Sequence, residues 1–114
     1  EVRELCHEVL MRMIPGLVEQ DIDLFGSAIN RTQVLGFKKV EVAMQHPVVS
    51  SLIEAMVEAG AAGAGLSSFG PTVYAVGDSG MADVARAAKE VLGDRGGTVI
   101  PTRARNDGAA VRAE

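Results

Sequence analysis

The chain has 114 residues, a formal net charge of -4 and one cysteine. That length gives a single domain, residues 1–114, able to bury its own core without metals or disulfides. The acidic balance disfavours a general nucleic-acid binder, which usually needs a basic surface to neutralise phosphates, and the lone Cys6 excludes an internal disulfide framework or a cysteine zinc site.

The first third is helical by its spacing. Val2, Leu5, Cys6, Val9, Leu10, Met13, Ile14, Leu17 and Val18 recur at three-four intervals, as on one buried helix face. Pro15 and Gly16 interrupt that face, so a kink, or a helix end followed by a new turn, is expected there. His7 falls on the polar side, and Cys6 falls among the core residues. Asp21 suits the cap of a second helix that buries Ile22, Phe25, Ile29 and Gln33 and ends near Gly36. Phe37 to Gln45 is open between an alternating strand and a linking turn. His46-Pro47 then starts a third helix, because proline fits a first helical position. Val48, Val49, Leu52, Ile53, Met56 and Val57 form its stripe, Glu54 and Glu58 face solvent, and Gly60 stops it.

Residues 59–77 carry no charge, yet five glycines, a proline and three hydroxyl residues interrupt them. No membrane span emerges, and no targeting segment is seen, so a cytoplasmic location is expected. A hairpin fits better: a strand near Ala62 to Ser68, a turn at Phe69-Gly70-Pro71 and a strand near Thr72 to Val76. Ser79 is placed as the cap of a fourth helix that buries Met81, Val84, Ala88, Val91 and Leu92 and stops at Gly93. A last strand is expected over Thr98 to Arg103, and the tail to Glu114 adds an edge strand or frays. The order predicts an α+β fold, with helices packed on one face of a small antiparallel sheet.

The segment Gly63-Ala64-Gly65-Leu66-Ser67-Ser68-Phe69-Gly70-Pro71-Thr72-Val73-Tyr74 is the most informative. Glycine permits close approach to the backbone, and hydroxyls donate hydrogen bonds without charge. The segment lacks the lysine and the strand-loop-helix setting of a P-loop, and it has no dinucleotide fingerprint. It resembles the third conserved motif of the galactokinase, homoserine kinase, mevalonate kinase and phosphomevalonate kinase (GHMP) superfamily. Within that superfamily it is most similar to the beta-ribofuranosylaminobenzene 5'-phosphate synthase branch. Met13-Ile14-Pro15, Asp21 to Asn30, Gly36 to Glu41 and Asn106 to Ala109 extend the resemblance over almost the whole chain.

The resemblance implies the C-terminal lobe of a bilobal enzyme, with no counterpart here of the N-terminal phosphate-loop motif. Such a synthase joins phosphoribosyl pyrophosphate to para-hydroxybenzoate or para-aminobenzoate, releasing pyrophosphate and carbon dioxide, early in methanopterin biosynthesis. The family uses Mg²⁺, whose ligands no residue here identifies. The implied partners are small-molecule substrates and the N-terminal lobe, with a homodimer left open and neither nucleic acid nor membrane expected. A missing lobe also implies an exposed apolar patch. The chain starts at Glu1, so a processed or excerpted chain is expected, inactive by itself. Two other readings stay open: the lobe of an ATP-dependent small-molecule kinase, and a stand-alone binding or dimerisation module.

The candidate substrate-binding residues are Gly63, Gly65, Ser67, Ser68 and Thr72. Against them stands a purely architectural role: glycines shaping the hairpin and Thr72 filling a strand. Weaker candidates are Lys38, Arg103, Arg105 and Asn106. Lys38 is as well explained by solvation, the two arginines by protection of an edge strand and Asn106 by a turn. No catalytic residue or metal ligand is assigned.

Overall fold

The computed structural model describes residues 1–113. Helix α1 (Val2–His7) runs through a π-helical turn (Glu8–Met13) into α2 (Ile14–Val18). The backbone stays helical across Pro15 and Gly16, so the chain neither ends nor restarts there. Proline cannot donate, and its ring crowds the carbonyl four residues back. The wide turn just before it absorbs that misfit, with the Ile14 N–H reaching Val9 five residues back. Gly16 then lets α2 press onto α3 (Ile22–Thr32), since a Cβ there would lie 2.7 Å from the Phe25 nitrogen. Buried Glu8 pairs with Arg12 at 2.9 Å, and Arg12 also donates to the Ser27 hydroxyl at 2.8 Å, tying the two layers together.

The apolar face of this first helical stretch is only partly used. Leu5, Val9 and Met13 are half-buried, whereas Leu10, Met11, Ile14, Leu17 and Val18 are exposed. Cys6 is exposed as well, which corrects its placement in the core.

Asp21 caps α3, its carboxylate accepting from the Leu24 N–H at 3.0 Å. The stretch from Gly36 to Ala43 is a helix, α4, and neither a strand nor a turn. Phe37, Val40 and Met44 follow a three-four spacing, and this period wins over the alternation of Val40, Val42 and Met44. Helix α5 (Pro47–Glu58) is capped by His46 itself, whose Nδ1 accepts from the Val48 N–H at 3.1 Å. It ends ahead of Gly60, which takes φ +112°.

Strands β1 (Gly63–Leu66) and β2 (Val73–Val76) form one antiparallel pair, with Gly63 opposite Val76 and Leu66 opposite Val73. Helix α6 (Met81–Leu92) follows. Its cap position is Gly80, with no side-chain cap, while the Ser79 hydroxyl bonds Asp78, so the expected serine cap is not made. The core lies where α5, α6 and the sheet meet: Leu52 and Met56, Val84 and Ala88, and Ala61 and Ala64. Full burial of a Leu, Met or Val side chain contributes roughly 1.5–3 kcal/mol.

No strand forms over residues 98–103, and among the described residues the sheet has two strands. The β1 edge is closed to a further strand by the bonds of its outward N–H groups to Asn30 and Gln33, and Pro101 removes a ladder donor from the middle of the segment. The stretch beyond Gly97 is therefore irregular and exposed, apart from Val99, which packs on the core. The expectation for the tail extends to Glu114, which lies outside the described residues. The architecture is α+β, helices packed around a small antiparallel sheet.

Candidate functional site

The hairpin divides into a buried stem and an exposed tip. In the stem, a Cβ on Gly63 would lie 2.5 Å from the Gly26 carbonyl oxygen, and one on Gly26 would lie 2.2 Å from the Ala62 carbonyl carbon. Helix α3 and β1 thus cross backbone to backbone, which only glycine permits. Asn30 Oδ1 accepts from the Ala64 N–H at 2.9 Å, and Gln33 Oε1 accepts from the Leu66 N–H at 3.0 Å. These two side chains, three residues apart on one helix, complete the edge of β1 that β2 leaves open. Gly65 is where Gln33 lies, since a Cβ there would come within 2.6 Å of its amide. Gly63 and Gly65 are therefore covered by this chain's own α3.

The tip presents a different surface. Ser67, Ser68, Phe69, Pro71 and Thr72 are all exposed. The Ser67 N–H donates to the Thr72 carbonyl at 2.9 Å, and the Gly70 N–H returns to the Ser67 carbonyl at 2.8 Å, closing a tight turn. Ser68 has φ +49° and Gly70 φ +79°. Three hydroxyls and one aromatic ring thus stand on a turn whose backbone is already paired. Hydroxyls of this kind suit phosphate oxygens, and the ring of Phe69 suits an aromatic partner.

Helix α4 holds this tip from beneath. Lys38 Nζ donates to the Ser68 carbonyl at 2.9 Å and to the Leu66 carbonyl at 3.3 Å, and it pairs with Glu41. Gln45 Nε2 donates to the Phe69 carbonyl at 2.6 Å. Lys38 is thus neither a solvated lysine nor an unpaired cation. Glu41 and Gln45 were not among the residues the sequence pointed to. The signal that finds Glu41 is its three-residue spacing from Lys38, which has meaning only once 36–43 is seen as a helix; no local signal points to Gln45.

Arg103, Arg105 and Asn106 are exposed in the irregular C-terminal stretch. Among the described residues no hydrogen bond or ion pair joins them to the hairpin, and without a strand the two arginines share no sheet face. A groove of about 380 Å³ lies between α3, α4 and α5, with Val34, Val42, Ile53 and Val57 in its walls. Glu54 and Glu58 also line it, and two carboxylates repel an anionic substrate. Tyr74 on β2 is half-buried, and burial pushes its phenol above the ordinary 10.0. Among the described residues there is no group of three or more His, Cys, Asp or Glu able to hold a metal ion, and no helix is long and apolar enough to cross a membrane.

A family model described as GHMP kinases C terminal matches residues 13–94, from the π-helical turn to the end of α6. The chain belongs to the GHMP kinase C-terminal family. The matched residues of this GHMP domain take in α3, α4 and the whole hairpin. Among curated proteins, the beta-ribofuranosylphenol 5'-phosphate synthase of Methanothermobacter thermautotrophicus is 45% identical over 109 residues, 96% of this chain and 32% of that protein. The protein of the same name from Methanocaldococcus jannaschii is 44% identical over 110 residues, 95% of this chain and 32% of its own length. That from Archaeoglobus fulgidus is 40% identical over 113 residues, 97% of this chain and 34% of its own length. The GHMP domain described here thus spans about a third of the length of the curated relatives it matches. No solved structure matches the chain.

Proposed function

We propose that this GHMP domain is the C-terminal lobe of a beta-ribofuranosylphenol 5'-phosphate synthase, a glycosyltransferase of methanopterin biosynthesis acting in the cytoplasm. The observation that carries this is 45% identity over 109 residues, 96% of the chain. The phenol in the relatives' name favours para-hydroxybenzoate over para-aminobenzoate, since loss of the carboxylate from a hydroxybenzoate leaves a phenol. In the reaction a carbon–carbon bond forms between the anomeric carbon of phosphoribosyl pyrophosphate and the ring carbon that bears the carboxylate. Pyrophosphate leaves with the anomeric bonding pair. Carbon dioxide leaves as its bonding pair returns to the ring.

In this reading the hairpin tip is one wall of a cleft completed by the rest of the polypeptide. Ser67, Ser68 and Thr72 hydrogen-bond the phosphate-bearing substrate, and Gly63 and Gly65 hold that wall against α3. Arg103, Arg105 and Asn106 reach the substrate only if the tail is reordered by the other lobe. Magnesium enters with the pyrophosphate. The described residues do not by themselves fit a magnesium centre, and no step here depends on one. The exposed stripe of Leu10, Met11, Ile14, Leu17 and Val18 supports a further surface covering this helix.

The test is turnover by the full-length protein. Phosphoribosyl pyrophosphate plus para-hydroxybenzoate should release carbon dioxide and pyrophosphate, and residues 1–114 alone should release neither. ATP-dependent phosphate transfer without carbon dioxide release would replace this reading with a small-molecule kinase.

A further inference from the structure

Helix α4 meets the hairpin through an arrangement that packing alone does not require. The side chains of Lys38 and Glu41 are only 25% and 12% exposed. Burying such a pair is costly unless its hydrogen-bonding capacity is used. Lys38 spends two N–H donors on the Leu66 and Ser68 carbonyls and forms an ion pair with Glu41, while the buried Glu41 Oε2 has that charge contact and no hydrogen bond. The two carbonyls belong to the 66–67 and 68–69 peptides, so the ammonium sets the direction of the peptides that enter and leave the Ser67–Ser68 pair. Ser68, the next residue, is held at φ +49°, a conformation most side chains avoid. Gln45, just beyond α4, secures the Phe69 carbonyl, so α4 and the turn that follows it grip Leu66, Ser68 and Phe69.

We propose that Lys38, oriented by Glu41, is a positioning residue that sets the Ser67–Ser68 segment so that its hydroxyls meet the phosphate-bearing substrate. The proposal rests on the reading of the tip as a substrate wall. Lys38 itself does not touch substrate, because its ammonium is held by the two turn carbonyls and by Glu41.

The experiment uses the full-length protein and two readouts. The first is amide hydrogen exchange of a peptide covering residues 66–72, where the Ser67 and Gly70 amides close the turn. The second is the KM for phosphoribosyl pyrophosphate set against that for para-hydroxybenzoate. Lys38→Met should speed exchange in that peptide by roughly tenfold or more, as expected for loss of a hydrogen bond to a charged group. It should raise the KM for phosphoribosyl pyrophosphate by up to about a hundredfold, the usual scale for a misplaced binding group, and leave that for the aromatic acid near wild type. Lys38→Arg, which keeps charge and donors, should recover most of both effects. Should Lys38→Met fail to fold, Glu41→Gln keeps the shape and carries the same readouts. Wild-type exchange in Lys38→Met overturns the proposal. So does faster exchange with unchanged kinetics in a protein whose wild type turns over. An inactive wild type overturns the synthase reading instead, and exchange then decides whether Lys38 sets the turn.

Discussion

The stem and the tip of the hairpin are continuous in sequence and both contain glycine, yet they meet opposite surroundings. In the stem, Ala64 and Leu66 are 0% and 2% exposed, and Gly63 and Gly65 lie against Gly26 and Gln33. In the tip, Ser67, Ser68 and Thr72 face outward on a turn braced by Lys38 and Gln45. The difference teaches that glycine richness here has two physical meanings. In the stem it permits one backbone to cross another. At the tip, Gly70 supplies a positive φ for the turn, and the chemistry belongs to the hydroxyls.

The contrast can be broken most forcefully in the stem. Gly26→Ala or Gly63→Ala drives a methyl into backbone, and each should cost about 3 kcal/mol, measured by denaturant unfolding. A nearly neutral result would mean that α3 does not cross β1 this closely. Next comes Gln33→Ala, which leaves the buried Leu66 N–H without its acceptor. It should cost about 1–3 kcal/mol, the penalty for an unpaired buried group. At the tip the order reverses. Ser67→Ala with Ser68→Ala should change stability by no more than about 0.5 kcal/mol, while turnover by the full-length protein falls roughly tenfold or more. Lost stability with intact turnover would assign the tip to architecture.

Tyr74, opposite Gly65, sharpens the comparison by pH. Burial raises its folded-state value above the unfolded 10.0. Its contribution is therefore fully present below pH 10.0 and is lost as pH rises through the folded value. An unfolding series in pH should fall in that alkaline window, and Tyr74→Phe should flatten the fall. The smallest effect belongs to the tail: Arg103→Ala with Arg105→Ala should stay within about 0.5 kcal/mol of the parent stability.

Much of this was legible from the residues. Three-four spacing marks the helices at 22–32, 47–58 and 81–92, because a helix buries one stripe whatever covers it. Asp21 and Pro47 mark their starts, because capping acts within a few residues. The glycine-rich hairpin shows itself by composition, and its motif carries the family resemblance that the match over residues 13–94 bears out. Local alternation misled at Phe37 to Gln45, where the helical period also fits and the Lys38–Glu41 pair spans one turn. The strand expected at Thr98 to Arg103 is absent too, where Asn30 and Gln33 close the edge of β1 and Pro101 lacks a ladder donor.

The sequence by itself determined the α+β class, three helix stripes, the position of the hairpin and the kinship of the domain. These follow from short-range rules: periodicity, caps and the conformational freedom of glycine. Only the tertiary structure decided which glycines are covered and which hydroxyls stand free. It alone turned Lys38 from a surface cation into a brace and left one face of the first helical stretch bare. Those outcomes depend on partners some thirty residues apart, such as Gln33 with Leu66 and Lys38 with Ser68. Local spacing carries no record of them, because such pairs meet only when the chain closes on itself.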